Sequence, residues 1–178
     1  MNRIQALALG AGFLCLAATA GTASAHVTLE TREAPAGSYY KAVVKVPHGC
    51  GGAATTAVRI RLPAGVVAAK PMPKPGWTLT TKDGEYAQPY QSHGRTITHG
   101  VTEIAWTGGS LPDAWYDEFV FQAVLPKQPA GTVLYFPVVQ ECDTGVARWI
   151  EIPEPGKTSA DLPEPAPGLT LTAPPSGH

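Results

Sequence analysis

Thr55-Thr56-Ala57-Val58-Arg59-Ile60-Arg61-Leu62 alternates cleanly: Val58, Ile60 and Leu62 are apolar, and Arg59 and Arg61 between them are charged. Successive side chains of a β-strand point to opposite faces, so this period of two predicts a strand with one face on a core and one in water. Pro63-Ala64-Gly65 ends it with turn chemistry. Similar runs lie on both sides: Val27 to Arg32, Tyr39 to Val46, Trp77 to Thr81, Glu118 to Leu125, Gly131 to Gln140 and Ala147 to Ile152. Arg95 to Trp106 has the length for two strands, and Pro71, Pro73 and Pro75 read as a stiff connection into Trp77. No stretch has the spacing of an amphipathic helix. The expected fold is an all-β, immunoglobulin- or cupredoxin-like sandwich of about 8–10 short strands.

Composition agrees. The 178 residues include 19 Gly and 18 Pro, a turn-rich content that disfavours long helices. At 44% hydrophobic and 15% charged, the chain is too apolar for disorder and too polar for a membrane protein. A formal net charge of −1 offers no basic excess to neutralise phosphates, so nucleic acid is not an expected partner.

Residues 1–25 read as a secretory signal peptide: Arg3 in the n-region, an apolar stretch from Ile4 to Ala20, and Ala23-Ser24-Ala25 as the cleavage site. A membrane anchor fits less well, because small residues fill the end of the stretch and no basic cluster follows. Phe13-Leu14 ahead of Cys15 argues against lipidation. Cleavage after Ala25 leaves a soluble chain without a membrane span, directed to the periplasm, and makes His26 its first residue. The expected domain is 26–153. Residues 154–178 read as a Pro-rich tail in which Leu169-Thr170-Leu171-Thr172 is a candidate last strand.

In an exported chain, Cys50 and Cys142 are expected to form a disulfide. The alternative makes Cys50 a thiolate metal ligand beside His48 in His48-Gly49-Cys50.

A chain that starts with His is a ready chelator. Its amine and imidazole Nδ1 close a six-membered ring on one metal, and a free α-amine has a pKa near ~8, low enough for displacement of its proton at neutral pH. Two nitrogens in one plane suit Cu(II). Among acidic candidates, Glu30 is four residues from His26, about 13 Å along a strand. Glu118 faces away from Phe119 and Phe121 and is the better placed of the two, although on pattern alone it reads as a solvated surface acid. Asp117 shares the Phe face by parity. In Arg148-Trp149-Ile150-Glu151-Ile152 the isoleucines mark a core face, so Trp149 is expected to point outward. His93 and His99 flank a turn-like region. Met72 is the only methionine after the leader, which excludes a Met-rich Cu(I) site. No nucleophile elbow, CxxC, P-loop or dinucleotide fingerprint occurs in a fitting context.

Several motifs together resemble the YcnI-like copper-binding family of exported bacterial proteins. They are His26-Val27-Thr28-Leu29-Glu30, Ala34-Pro35-Ala36-Gly37-Ser38-Tyr39, Pro71-Met72-Pro73-Lys74-Pro75-Gly76-Trp77, Tyr116-Asp117-Glu118-Phe119, Pro137-Val138-Val139-Gln140-Glu141-Cys142 and Gly145-Val146-Ala147-Arg148-Trp149-Ile150-Glu151. The resemblance runs from His26 to about Pro153. It implies one Cu(II) per chain on a mono-histidine brace, with His26 as the brace, Glu118 as the acidic ligand and Trp149 beside the copper. The cysteine pair lies outside that copper set.

The function expected from these readings is a periplasmic Cu(II) carrier, buffer or chaperone in copper homeostasis, without catalytic turnover. Its candidate partners, beyond the ion, are a membrane copper transporter or a second periplasmic carrier. Two alternatives are a copper-dependent redox enzyme of the histidine-brace type and a copper-responsive docking module. A carboxylate in place of a second brace histidine favours Cu(II) over Cu(I), which disfavours redox cycling.

Overall fold

The computed structural model describes residues 26–92 and 94–174. Residues 1–25, which the expected signal peptide occupies, His93 and residues 175–178 lie outside them. The described chain holds twelve strands: β1 (Thr28–Leu29), β2 (Glu33–Pro35), β3 (Tyr39–Val46), β4 (Thr55–Arg61), β5 (Val67–Pro71), β6 (Thr78–Ser92), β7 (Arg95–Leu111), β8 (Asp117–Val124), β9 (Val133–Tyr135), β10 (Val138–Cys142), β11 (Val146–Trp149) and β12 (Gly168–Thr172). The only helical element among the described residues is one 3-10 turn, Ser159–Asp161. The strands form a four-stranded sheet, β1-β3-β8-β5, a five-stranded sheet, β11-β10-β4-β7-β6, and a three-stranded sheet, β2-β12-β9.

The expected all-β sandwich is therefore present. Val44, Phe119 and Phe121 of the first sheet meet Val58, Ile60, Ile104, Trp106 and Val138 of the second in one core. Trp106 and Phe119 pack edge to face, with ring centroids 5.5 Å apart. Strand β4 bears out the alternation that predicts it: Val58 and Ile60 are fully buried, while Arg59 reaches out to a 2.7 Å ion pair with Glu141 on β10.

The strand count exceeds the expected 8–10, and the differences have local causes. Only Thr28–Leu29 of the run Val27–Arg32 is strand, and β2 forms just beyond it, in a different sheet. Pro137 cannot donate a ladder hydrogen bond, and the run Gly131–Gln140 splits there into β9 and β10, again in different sheets. Arg95–Trp106 is not two strands but part of one, β7. It pairs with β6 in a long hairpin closed at Ser92↔Arg95, with Gly94 at φ 74° in its turn. The hairpin carries its own aromatic pair, Tyr86 edge-on to Tyr90.

The segment after Pro153 is not wholly a tail. Strand β12 lies between β2, to which it runs parallel, and β9, to which it runs antiparallel. Leu169 and Leu171 are buried in the same core, so the domain continues past the boundary drawn at Pro153. Apolar alternation at Leu169 and Leu171 outweighs the proline content around it.

Candidate metal site at the His26 end

His26 lies two residues before β1, and the chain there is anchored by Val27 and by Leu29 of β1, both almost wholly buried. Its imidazole is half-buried and stands against the indole of Trp149, with ring centroids 5.5 Å apart and a 54° tilt. His26 leads into β1 and Trp149 ends β11, edge strands of different sheets, so the ring contact bridges the two sheets at that edge.

Trp149 points inward, not outward. It is 6% exposed, whereas Ile150 and Ile152 are 42% and 55% exposed. The expectation fails because the strand stops at Trp149. Ile150 N–H turns back to the carbonyl of Arg148, and Glu151 then bridges to Pro165, so parity cannot be carried from the isoleucines through this break. Within β11 itself, Trp149 opposes Val138, which in turn opposes Ile60, a row of core residues.

A buried indole N–H needs an acceptor, and here it is Gln140 Oε1 at 3.0 Å. Gln140 is fully buried on β10. Its Nε2 donates to the backbone carbonyl of His48 and to Thr55 Oγ1, each at 2.7 Å. Thr55 is also fully buried, and its Oγ1 lies 3.8 Å from Cys142 Sγ. Cys50 and Cys142 form the expected disulfide, and Cys50 Sγ lies 3.8 Å from the Gln140 carbonyl oxygen. The thiolate reading of Cys50 is thereby excluded. The His48 ring makes its own contact with the neighbouring Gly49 carbonyl, and Gly49 N–H donates to Asp113 Oδ1 at 3.0 Å.

Sequence reading missed Gln140 and Thr55. The signal was present: Val138 and Gln140 share parity on β10, so an inward polar side chain was due wherever Val138 faced the core.

Glu118 is half-buried on β8, in one cross-sheet row with Lys45 and Thr28. Two strand spacings put it roughly 10 Å from Thr28, with His26 two residues further on. Its neighbourhood is polar. Lys74 Nζ donates to Asp117 Oδ1 at 2.6 Å and to the Glu118 carbonyl at 3.2 Å, and it sits 5.2 Å from the centre of the Phe119 ring. Asp117 therefore does lie on the Phe119 side, as its parity requires. The structure thus brings His26 and Trp149 into contact and puts Glu118 on a nearby row. Among the described residues, no three of His, Cys, Asp and Glu are gathered as a metal cluster. His99, exposed on β7, opposes Glu85 in the hairpin.

A groove of about 560 Å³ opens beside His26, between β1 and the stretch Pro165–Gly168, with Arg32 and Tyr135 on its walls. His26 is therefore reachable from solvent on one side and backed by Trp149 on the other.

Comparison with known proteins agrees with this architecture. None of the curated proteins matches the chain. Among solved structures, it is similar to an uncharacterized protein from Nocardia farcinica whose crystal structure reveals an immunoglobulin-like fold. The identity is 28% and the TM-score 0.61, over 83% of this chain and 98% of that one. The profile of DUF1775, a domain of unknown function, matches residues 26–171, from the imidazole beside Trp149 to the end of the β12 core. With so much of its length matched, the chain belongs to the DUF1775 family, which takes in the YcnI-like proteins.

Proposed function

We propose that this chain is an exported, periplasmic Cu(II)-binding protein that carries, buffers or delivers copper, with His26 as its principal ligand once the leader has been removed. The observation that carries the reading is the contact between His26 and Trp149. The residue that cleavage would make the N-terminus is seated, half-buried, against an indole at the mouth of a groove.

The donor types suit the ion. His26 would supply its imidazole and, after cleavage, its amine; two such nitrogens suit tetragonal Cu(II). Glu118 would add the anionic ligand from the neighbouring row. Trp149 would cover one side of the ion and keep water from it. No turnover is assigned. Copper is cargo here, and a membrane transporter or a second periplasmic carrier is the class of partner such cargo requires.

The test is electron paramagnetic resonance of Cu(II) titrated into two forms of the protein, one starting at His26 and one with a single residue added before it. The first should give a one-equivalent, nitrogen-coupled tetragonal signal, and the second should lose it. The same signal from both forms would overturn the reading and turn attention to His48.

A further inference from the structure

We infer that Gln140 is a positioning residue, which fixes the Trp149 indole as the wall against which His26 stands. Its bearing on copper rests on the function proposed above; its bearing on the two rings does not.

Thr55 and Gln140 are the two buried polar residues of the described core, and they are bonded to each other. Gln140 uses its carboxamide fully. Oε1 accepts from Trp149, and the two Nε2 hydrogens go to the His48 carbonyl and to Thr55. Three directional bonds to three different segments leave the amide one orientation. The indole is then held as well, because rotating it would strand a buried N–H. The disulfide lies beside the same network, with Cys50 Sγ near the Gln140 backbone carbonyl and Cys142 Sγ near the Thr55 hydroxyl.

A merely space-filling role is answered by the neighbours. Val138, Val58 and Ile60 fill the equivalent inward positions of β10 and β4 without a polar atom. An amide in such a place carries a desolvation penalty that an aliphatic residue avoids. What it adds in return is direction, and the direction is delivered to Trp149 and, through the His48 carbonyl, to the loop that leads to Cys50.

The experiment is NMR of the protein starting at His26, without metal, reading the ring-current displacement of the His26 imidazole C–H resonances. Trp149→Leu defines zero displacement. Gln140→Met, similar in volume but unable to make the bonds, should lose at least half of the wild-type displacement and broaden the Trp149 indole N–H resonance. Thr55→Val, which keeps the shape and removes one restraint, should lose a smaller part. Circular dichroism and intact disulfide content verify the fold. If Gln140→Met fails to fold, Thr55→Val decides alone. Displacements within a tenth of wild type in the folded variants would overturn the assignment.

With Cu(II) added, the same variants should bind at least tenfold more weakly and give a heterogeneous resonance signal. Wild-type protein that takes up no Cu(II) would defeat the copper reading while leaving the ring-current result to decide Gln140.

Discussion

Removing the Cys50–Cys142 crosslink, in a Cys50→Ala/Cys142→Ala double variant, should destabilise the domain chiefly by releasing its unfolded chain. The cysteines are 92 residues apart in sequence. A loop of that length corresponds to about 15–16 cal/mol/K of closure entropy, or about 4.6 kcal/mol at 25 °C. Unfolding entropy for a domain of this size turns that loss into a fall in Tm of roughly 15 °C. If the gain sits in the unfolded state, the urea m-value should rise as well, because an uncrosslinked chain exposes more surface. Urea and thermal unfolding of both proteins, followed by circular dichroism, give the two numbers. A drop in Tm below about 4 °C with an unchanged m-value would refute the entropic reasoning and show that the bond serves local geometry around Gln140 alone.

Other tests address single side chains. Tyr40 donates to the Thr31 carbonyl at 2.6 Å, and burial, with the nearby Glu30 charge, pushes its hydroxyl up to about 12. The folded state therefore keeps a proton that the unfolded state loses from about pH 10, and stability falls as pH rises from about 10 to 12, by up to ~1.4 kcal/mol per pH unit. Tyr40→Phe should flatten that alkaline limb in urea titrations, and an unchanged slope would count against the assignment. At Gly109 an added Cβ would land on the Trp77 indole, which packs edge-on to Phe119 at 5.1 Å. Gly109→Ala should therefore lose about 1–3 kcal/mol and alter the near-ultraviolet circular dichroism. A change in stability under 0.5 kcal/mol would mean that Trp77 moves freely.

The sequence is most legible where one strand face is wet and the other dry. β4 and β8 follow their alternation because Ile60 and Phe121 face one core while Arg59 and Gln122 face out. Legibility fails where that asymmetry stops. β5 buries Val67 and Ala69 and exposes Ala68 and Lys70, but two alanines on opposite faces give no hydrophobic contrast to read, and Ala68 at φ 53° and a register shift between Val67 and Lys70 make the strand irregular. β11 is short and ends at the residue that matters, and Ile150 and Ile152 beyond it are exposed, so hydrophobicity alone gave Trp149 the wrong side. At the candidate site, His26 could be singled out from the cleavage pattern, and Trp149 and Glu118 from the family resemblance. Parity with Val138 marks Gln140 as an inward polar residue but not what it does there, since its significance lies in three partners far apart in sequence, the carbonyl of His48, the hydroxyl of Thr55 and the indole of Trp149.

The parallel pairing of β2 with β12 joins Glu33 to Thr170, near opposite ends of the domain. A chain emerging N-terminus first presents β1 and β2 early and must wait for its last strand before the β2-β12-β9 sheet can form. Contacts this distant in sequence slow folding, because loop closure precedes any gain from pairing. The architecture thus delays its own completion: until residue 172 has emerged, the three-stranded sheet lacks its central strand.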